Sequence, residues 1–246
     1  MKAWRAYHDG PMSAGSLVSL SADEAHHLTR VVRLGTGADI RLFDGRGSEW
    51  RGTVETMDET GVEVRVGPAV ANRVEPLTRL TLLQSTCRAD RLELVLQKGT
   101  ELGVSEFRLV QTAASERVRV TPSKMKRWDR IILEACKQSG RRLLPALIGP
   151  ENLAAVAGAF DLSEGAAVVL HPSEDDCGIA GVPGMSGDGP VRVLVGPESG
   201  LEDEEIGLLL REGWQPAGLG PRTLRTETAG LVASAVILAI RGDLGP

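Results

Sequence analysis

The segment Leu219-Gly220-Pro221-Arg222-Thr223-Leu224-Arg225-Thr226-Glu227-Thr228 sets two arginines and three threonines immediately before an almost wholly apolar run, Ala229 to Ile240. That run falls well short of the ~20 residues a helix needs to span a bilayer. It is therefore read as a buried helix, and the ten residues before it as the loop that feeds it. Two further apolar runs lie upstream. Val191-Arg192-Val193-Leu194-Val195 leads into Gly196-Pro197-Glu198-Ser199-Gly200, and Ala166-Ala167-Val168-Val169-Leu170 leads into His171-Pro172. Near-continuous apolar runs of this length are what buried parallel strands require. In open α/β sheets ligands sit beyond the carboxyl ends of the strands, and glycines there let the main chain approach a ligand closely. Three such loops can converge on one site, although three ordinary turns would show the same spacing.

The rest of the second half extends this pattern. Leu80 to Leu83 reads as a strand, Asp90 to Leu102 as a helix closed by Gly103, and Phe107 to Gln111 as a strand. Ser123 is placed to cap a helix that carries Met125, Trp128, Ile132 and Cys136 on one face and ends at Gly140; Glu202 to Arg211 is another helix. Strands alternating with helices imply a mostly parallel sheet covered on both faces. The first seventy residues differ. Ser16–Leu20, Asp39–Phe43, Glu49–Val54 and Val62–Val66 are short strands between turn signals such as Asp44-Gly45, the pattern of a small β-barrel. One helix interrupts them, with Ser21 as cap, Glu24 at its third position and Ala25, Leu28 and Val32 on one face. Residues 67–78, with Pro68 and Pro76, read as a linker.

Composition narrows the function. The chain has 246 residues, 42% hydrophobic and 25% charged, which is ordinary for one or two globular domains. Only 3% are aromatic, too few for a stacking platform along single-stranded nucleic acid. Cys87, Cys136 and Cys177 form no CxxC pair, so neither a disulfide framework nor a zinc site is expected. Met1-Lys2-Ala3-Trp4-Arg5 opens no signal peptide, and a cytoplasmic, reducing setting is the expectation. The net charge of −5 argues against a generic nucleic-acid binder, yet its distribution is uneven. Residues 77–150 carry 14 Lys+Arg against 7 Asp+Glu, net +7, whereas residues 151–246 are net −10. A basic middle is either a local polyanion footprint or a solvated helix face. There is no G-x-G-x-x-G, no P-loop and no G-x-S-x-G, and His26, His27 and His171 have no metal partners at ligand spacing.

Taken together, these segments resemble the RsmE family of 16S ribosomal RNA uridine N3-methyltransferases, in the SPOUT class. The resemblance runs nearly end to end. It includes His26, Arg30, Val31 and Arg33, Leu42-Phe43-Asp44-Gly45, Gln97 to Val104, and Glu134 to Arg141. It closes with Leu170-His171-Pro172, Gly196-Pro197-Glu198 and Leu219 to Ala229, the last being the most specific string. The resemblance implies a SPOUT-type α/β trefoil-knot methyltransferase domain over residues 73–246, behind a PUA-like RNA-binding β-barrel over residues 1–72. It further implies S-adenosylmethionine as cofactor and a homodimer. The substrate would be a decoding-region uridine of 16S ribosomal RNA within the small ribosomal subunit, with no metal and no membrane.

On that resemblance the cofactor would be held by Leu170, His171, Gly196, Pro197, Glu198, Leu219, Gly220, Leu224 and Thr226. Methylating N3 requires loss of the imide proton, and arginine suits the resulting anion because it stays cationic and donates in a fixed fork. Arg222 and Arg225 are the catalytic candidates, and Glu227 is either a base or a group that orients an arginine. Arg30, Arg33, Arg88, Arg91, Lys98 and Arg141 would hold RNA. The family pattern Gly-Pro-Glu-Gly-Gly is broken at Ser199, where a serine would resist a positive φ. Two other functions compete: 2′-O-ribose methylation of ribosomal or transfer RNA, and a non-catalytic RNA-binding assembly factor. The intact Leu219–Thr228 segment argues against the second.

Overall fold

The computed structural model describes residues 4–58, 61–71, 74–118, 120–171 and 178–245. Its internal contacts divide the chain into two units, residues 1–75 with 136–144 and residues 76–135 with 145–246.

The first unit is a five-stranded sheet of β1 (Trp4–Tyr7), β2 (Leu17–Ser19), β3 (Asp39–Phe43), β4 (Glu49–Asp58) and β5 (Gly61–Ala69), ordered β1-β3-β4-β5-β2. Period-two alternation places Ile40, Leu42, Val54, Val62, Val64 and Val66 on one face, where they bury with Ala6, Val18 and Leu28. The predicted helix forms as α1 (Ala22–His26), and Ser21 Oγ accepts from Glu24 N at 3.4 Å. A wider-wound turn, His27–Val32, continues it and ends at Arg33 in the left-handed region. Glu24 is buried, and its carboxylate accepts from Lys137 Nζ at 2.9 Å and from Tyr7 N at 3.4 Å.

Segment 136–144 is tied to this sheet by charge. Arg5 Nε donates to Glu49 at 2.8 Å, its Nη1 to Cys136 O at 2.6 Å and its Nη2 to Arg141 O at 2.8 Å. Arg142 Nη2 donates to the other Glu49 oxygen at 3.1 Å. Arg141 is held by Glu75, at 3.0 Å through Nε.

The second unit carries a six-stranded sheet, ordered β11-β9-β10-β6-β7-β8, in which neighbouring strands run parallel. The strands are β6 (Leu80–Ser85), β7 (Glu106–Gln111), β8 (Ala146–Asn152), β9 (Ala166–Leu170), β10 (Val191–Val195) and β11 (Gln215–Ala217). The helices are α2 (Ala89–Leu102), α3 (Pro122–Ser139, whose last turn belongs to the first unit), α4 (Leu153–Ala157), α5 (Asp203–Arg211) and α6 (Thr226–Ile240). On one face Leu83, Val169 and Leu194 pack with Val156, Leu209 and Trp214; α2 and α6 pack together, with α6 on β6 and β10.

Several boundaries differ from the sequence expectation, each for a local reason. Residues 67–69 extend β5 instead of opening a linker; β2 pairs only as far as Arg65, so Pro68 lies where no β2 partner needs its missing N–H. Helix α3 begins at Pro122, and Thr121 rather than Ser123 accepts from Lys124 N, at 3.3 Å. Glu202 precedes α5 in a capping box with Glu205. Helix α6 begins at Thr226, three residues before the apolar run.

Candidate active site

The carboxyl ends of β9, β10 and β11 open on one cavity of about 1000 Å³ in the second unit. Its walls are Leu170 and His171 at the end of β9, Val195 to Leu201 from the end of β10, and Ala217 to Arg225 from the end of β11, with Thr226 and Ala229 on α6 and Arg91 on α2. The three loops therefore converge. All nine predicted cofactor residues line this space: Leu170, His171, Gly196, Pro197, Glu198, Leu219, Gly220, Leu224 and Thr226. Pro172, named with His171 in the sequence, lies outside the described residues.

Local sequence explains the loop shapes. Gly220 has φ +92°, a conformation barred to most side chains. In the β10 loop the positive φ falls on Gly200, at +85°, and not on Ser199. The serine therefore sits at a position that does not need glycine. Ser199→Gly is expected to leave the fold intact and to change cofactor affinity by less than about tenfold in titration calorimetry.

One hydroxyl fastens the β10 loop to α6. Thr226 is buried; its Oγ1 donates to Gly196 O at 2.8 Å and accepts from Gln84 Nε2 at 2.8 Å. Gln84 is fully buried at the end of β6. A polar residue closing the apolar strand Leu80–Leu83 was the available signal for this anchor.

The predicted catalytic residues separate into two groups. Arg222 and Arg225 are exposed on the cavity wall, and among the described residues no ion pair involves them. Glu227 does not line the cavity. It is buried in the first turn of α6, with Oε1 3.9 Å from Arg91 Nε, and its Oε2 has no hydrogen-bond partner. Arg91 also pairs through Nη1 with Glu198. Nearby, the Cys87 thiol is pushed up to about 11, by burial first and by the Glu227 carboxylate second, so it is no nucleophile near neutral pH.

The predicted RNA-holding residues also divide. Arg30 and Arg33 are exposed on the first unit. On α2 Lys98 is part-exposed and pairs with Glu101 at 2.8 Å, while exposed Arg88, just before the helix, lies 3.5 Å from Asp90. Arg91 belongs to the cavity, a placement that its position just after the carboxyl end of β6 would have indicated. Arg141 departs from the expectation: it is buried and its guanidinium is spent on Glu75, so its charge is not presented at the surface. Its neighbour Arg142 is likewise buried, on Glu49. Part of the basic middle is thus internal wiring. Among the described residues no group of three His, Cys, Asp or Glu side chains could hold a metal.

Comparison with known proteins gives a consistent picture. Residues 73–238 match the family model of an RNA methyltransferase domain, and residues 20–67 match that of an RNA methyltransferase PUA domain. The ribosomal RNA small subunit methyltransferase E of Synechocystis is 32% identical over 231 residues, covering 91% of this chain and 73% of its own length. The Bacillus subtilis protein of the same name is 28% identical, covering 92% of each chain. Among solved structures, ribosomal RNA small subunit methyltransferase E from Neisseria gonorrhoeae, bound to S-adenosyl methionine, superposes with a TM-score of 0.91 at 30% identity, covering 99% of this chain and 100% of that one. A Legionella pneumophila methyltransferase in complex with the same cofactor gives 0.90 at 32% identity, covering 97% and 98%.

Proposed function

This chain belongs to the ribosomal RNA small subunit methyltransferase E family, S-adenosylmethionine-dependent enzymes of SPOUT-type fold with a PUA-like N-terminal unit, and we propose that its product is N3-methyluridine in the decoding region of 16S ribosomal RNA. The observation that carries this reading is the convergence of three strand-end loops on one cavity that keeps two uncommitted arginines, Arg222 and Arg225, on its wall.

The cavity suits the cofactor. Leu170, Val195, Leu219 and Leu224 offer apolar walls to an adenosyl group, and glycines 196, 218 and 220 leave the main chain open to a purine edge. When bound, S-adenosylmethionine supplies an electrophilic methyl group. The chain's own part is to place uridine N3 in line with it and to stabilise the imide anion. Arg222 and Arg225 donate to the uracil carbonyl oxygens or the adjoining phosphate, where negative charge develops. Glu227, behind the wall, orients an arginine; it does not touch the base. Arg30, Arg33, Arg88 and Lys98 supply exposed positive charge for the RNA backbone, within the small ribosomal subunit.

The working form in this reading is a homodimer. Helix α6 is apolar nearly throughout, yet Val236 and Ala239 are exposed and Leu231, Val232 and Ala235 are only part-buried. Such a face calls for a self-complementary partner. Val236→Asp is expected to convert a dimer into a monomer in analytical ultracentrifugation, while the wild type stays dimeric. Among the described residues no helix is long and apolar enough to cross a membrane. In this reading the enzyme works in the cytoplasm, with its ribosomal substrate.

The activity is tested by incubating the protein with methyl-labelled S-adenosylmethionine and unmodified small subunits. Label entering 16S RNA supports the reading. Cofactor binding with no transfer to RNA in any assembly state would favour the non-catalytic assembly factor.

A further inference from the structure

Thr226 and Glu227 open α6 side by side, and both reach toward the Gly196–Gly200 loop by different routes. Thr226 takes the direct one, through Gly196 O at 2.8 Å. Glu227 has no such bond. Its Oε1 lies 3.9 Å from Arg91 Nε, and the far end of the same guanidinium, Nη1, is on the Glu198 carboxylate. Arg91 is therefore clamped between two carboxylates, one buried and one half-exposed at the cavity rim.

The environment of Glu227 makes this arrangement informative. A carboxylate this buried is costly unless it is paired. Here one oxygen has only a distant cation and the other has no hydrogen-bond partner, while Cys87 beside it stays protonated. A salt bridge kept for stability would satisfy both oxygens. Among the described residues, the one cation that the buried Glu227 carboxylate faces is Arg91, at 3.9 Å.

We infer that Arg91 is a positioning residue of the cofactor site: braced from beneath by Glu227, it fixes Glu198, and with it the β10 loop, in the shape that binds S-adenosylmethionine. This rests on the reading of the cavity as the cofactor site, and it moves Arg91 from gripping RNA to shaping the loop. It also explains why threonine and glutamate stand together after Arg225, since each anchors the same loop at a different point.

Charge and position make opposite predictions, which makes the inference testable. S-adenosylmethionine carries a sulfonium and an ammonium against one carboxylate, so it is a net cation. If Arg91 acted only through its charge, removing it would tighten the cofactor. If Arg91 positions Glu198, Arg91→Ala should weaken S-adenosylmethionine binding roughly tenfold or more in titration calorimetry, the scale of one lost charge-assisted hydrogen bond. The KM for RNA should stay unchanged. Arg91→Lys keeps the charge without the two-ended fork and should restore only part of the affinity. Glu227→Gln should weaken binding in the same direction, and the double variant should bind no worse than Arg91→Ala, because both changes break one chain of contacts. Melting curves confirm that each variant is folded. Tighter or unchanged cofactor binding by Arg91→Ala, or a raised RNA KM at constant cofactor affinity, overturns the inference while leaving the enzyme assignment standing. Failure of the wild type to bind S-adenosylmethionine overturns both.

Discussion

Arg225→Ala is expected to lower the single-turnover methylation rate about a hundredfold, the scale of losing one preorganised donor to a developing anion. Cofactor affinity should stay within a few-fold of wild type and the melting temperature should not move. Arg225 is exposed, lines the cavity and stands just before the first turn of α6, with its side chain making no cap bond. Alternatively it braces the loop by pairing with Glu227. The structure disfavours that pairing, because the cation nearest Glu227 is Arg91, at 3.9 Å. A brace would make cofactor affinity, melting temperature and rate fall together. Measuring all three on the one variant separates the two roles, and joint loss would remove Arg225 from the chemistry.

The second large effect concerns stability. Glu49 is buried and accepts from Arg5 at 2.8 Å and from Arg142 at 3.1 Å, while Arg5 also lies over the Phe43 ring at 4.4 Å. Glu49→Ala removes the carboxylate that both buried guanidinium groups share. Breaking a buried pair from one side costs about 3–5 kcal/mol, against a total stability of roughly 5–15 kcal/mol. The melting temperature should fall on the order of 10 °C. Glu55→Ala is the control. It breaks a surface pair with Arg65, which solvent already screens, and should leave the transition in place. Equal melting curves for the two variants would mean that the buried network contributes no more than the surface pair.

That network also shows where sequence reading reaches its limit. Strands β9 and β10 are legible because parallel strands buried on both faces must be continuously apolar, and Ala166–Leu170 and Val191–Val195 are. Strands β8 and β11 were not foreseen. Each carries a proline, Pro150 or Pro216, which only an edge strand tolerates, and both lie at the edges of the six-stranded sheet. Strand β1 was hidden by Arg5, a charged residue whose burial depends on Glu49 and on main-chain carbonyls more than 130 positions away. For the same reason the positive charge of residues 77–150 overstated the surface available to RNA, since Arg141 and Arg142 are used internally.

The candidate site was more legible than its wiring. The three loops could be found because each borders an apolar run, two following one and the third preceding one, and contains glycine or proline where a ligand needs room. Which side chain faces the cavity was not encoded by spacing. Glu227 stands two residues from Arg225, yet it lies in the first turn of a helix whose start the apolar pattern placed three residues late. Its partner Arg91 is 136 positions away on α2, and the packing of α2 against α6 brings the two together. Chain threading of the kind implied by the family resemblance leaves no periodic signal at all.

The most direct test of the central claim is mass spectrometry of nucleosides from 16S RNA, taken from small subunits that this protein has methylated with S-adenosylmethionine. One new methylated nucleoside is expected, N3-methyluridine, with the added methyl retained on the base after the glycosidic bond is broken. A methyl found on the ribose would contradict it and establish 2′-O-methylation, and the absence of any new methylated nucleoside would contradict the assignment of the cavity as a methyltransferase site.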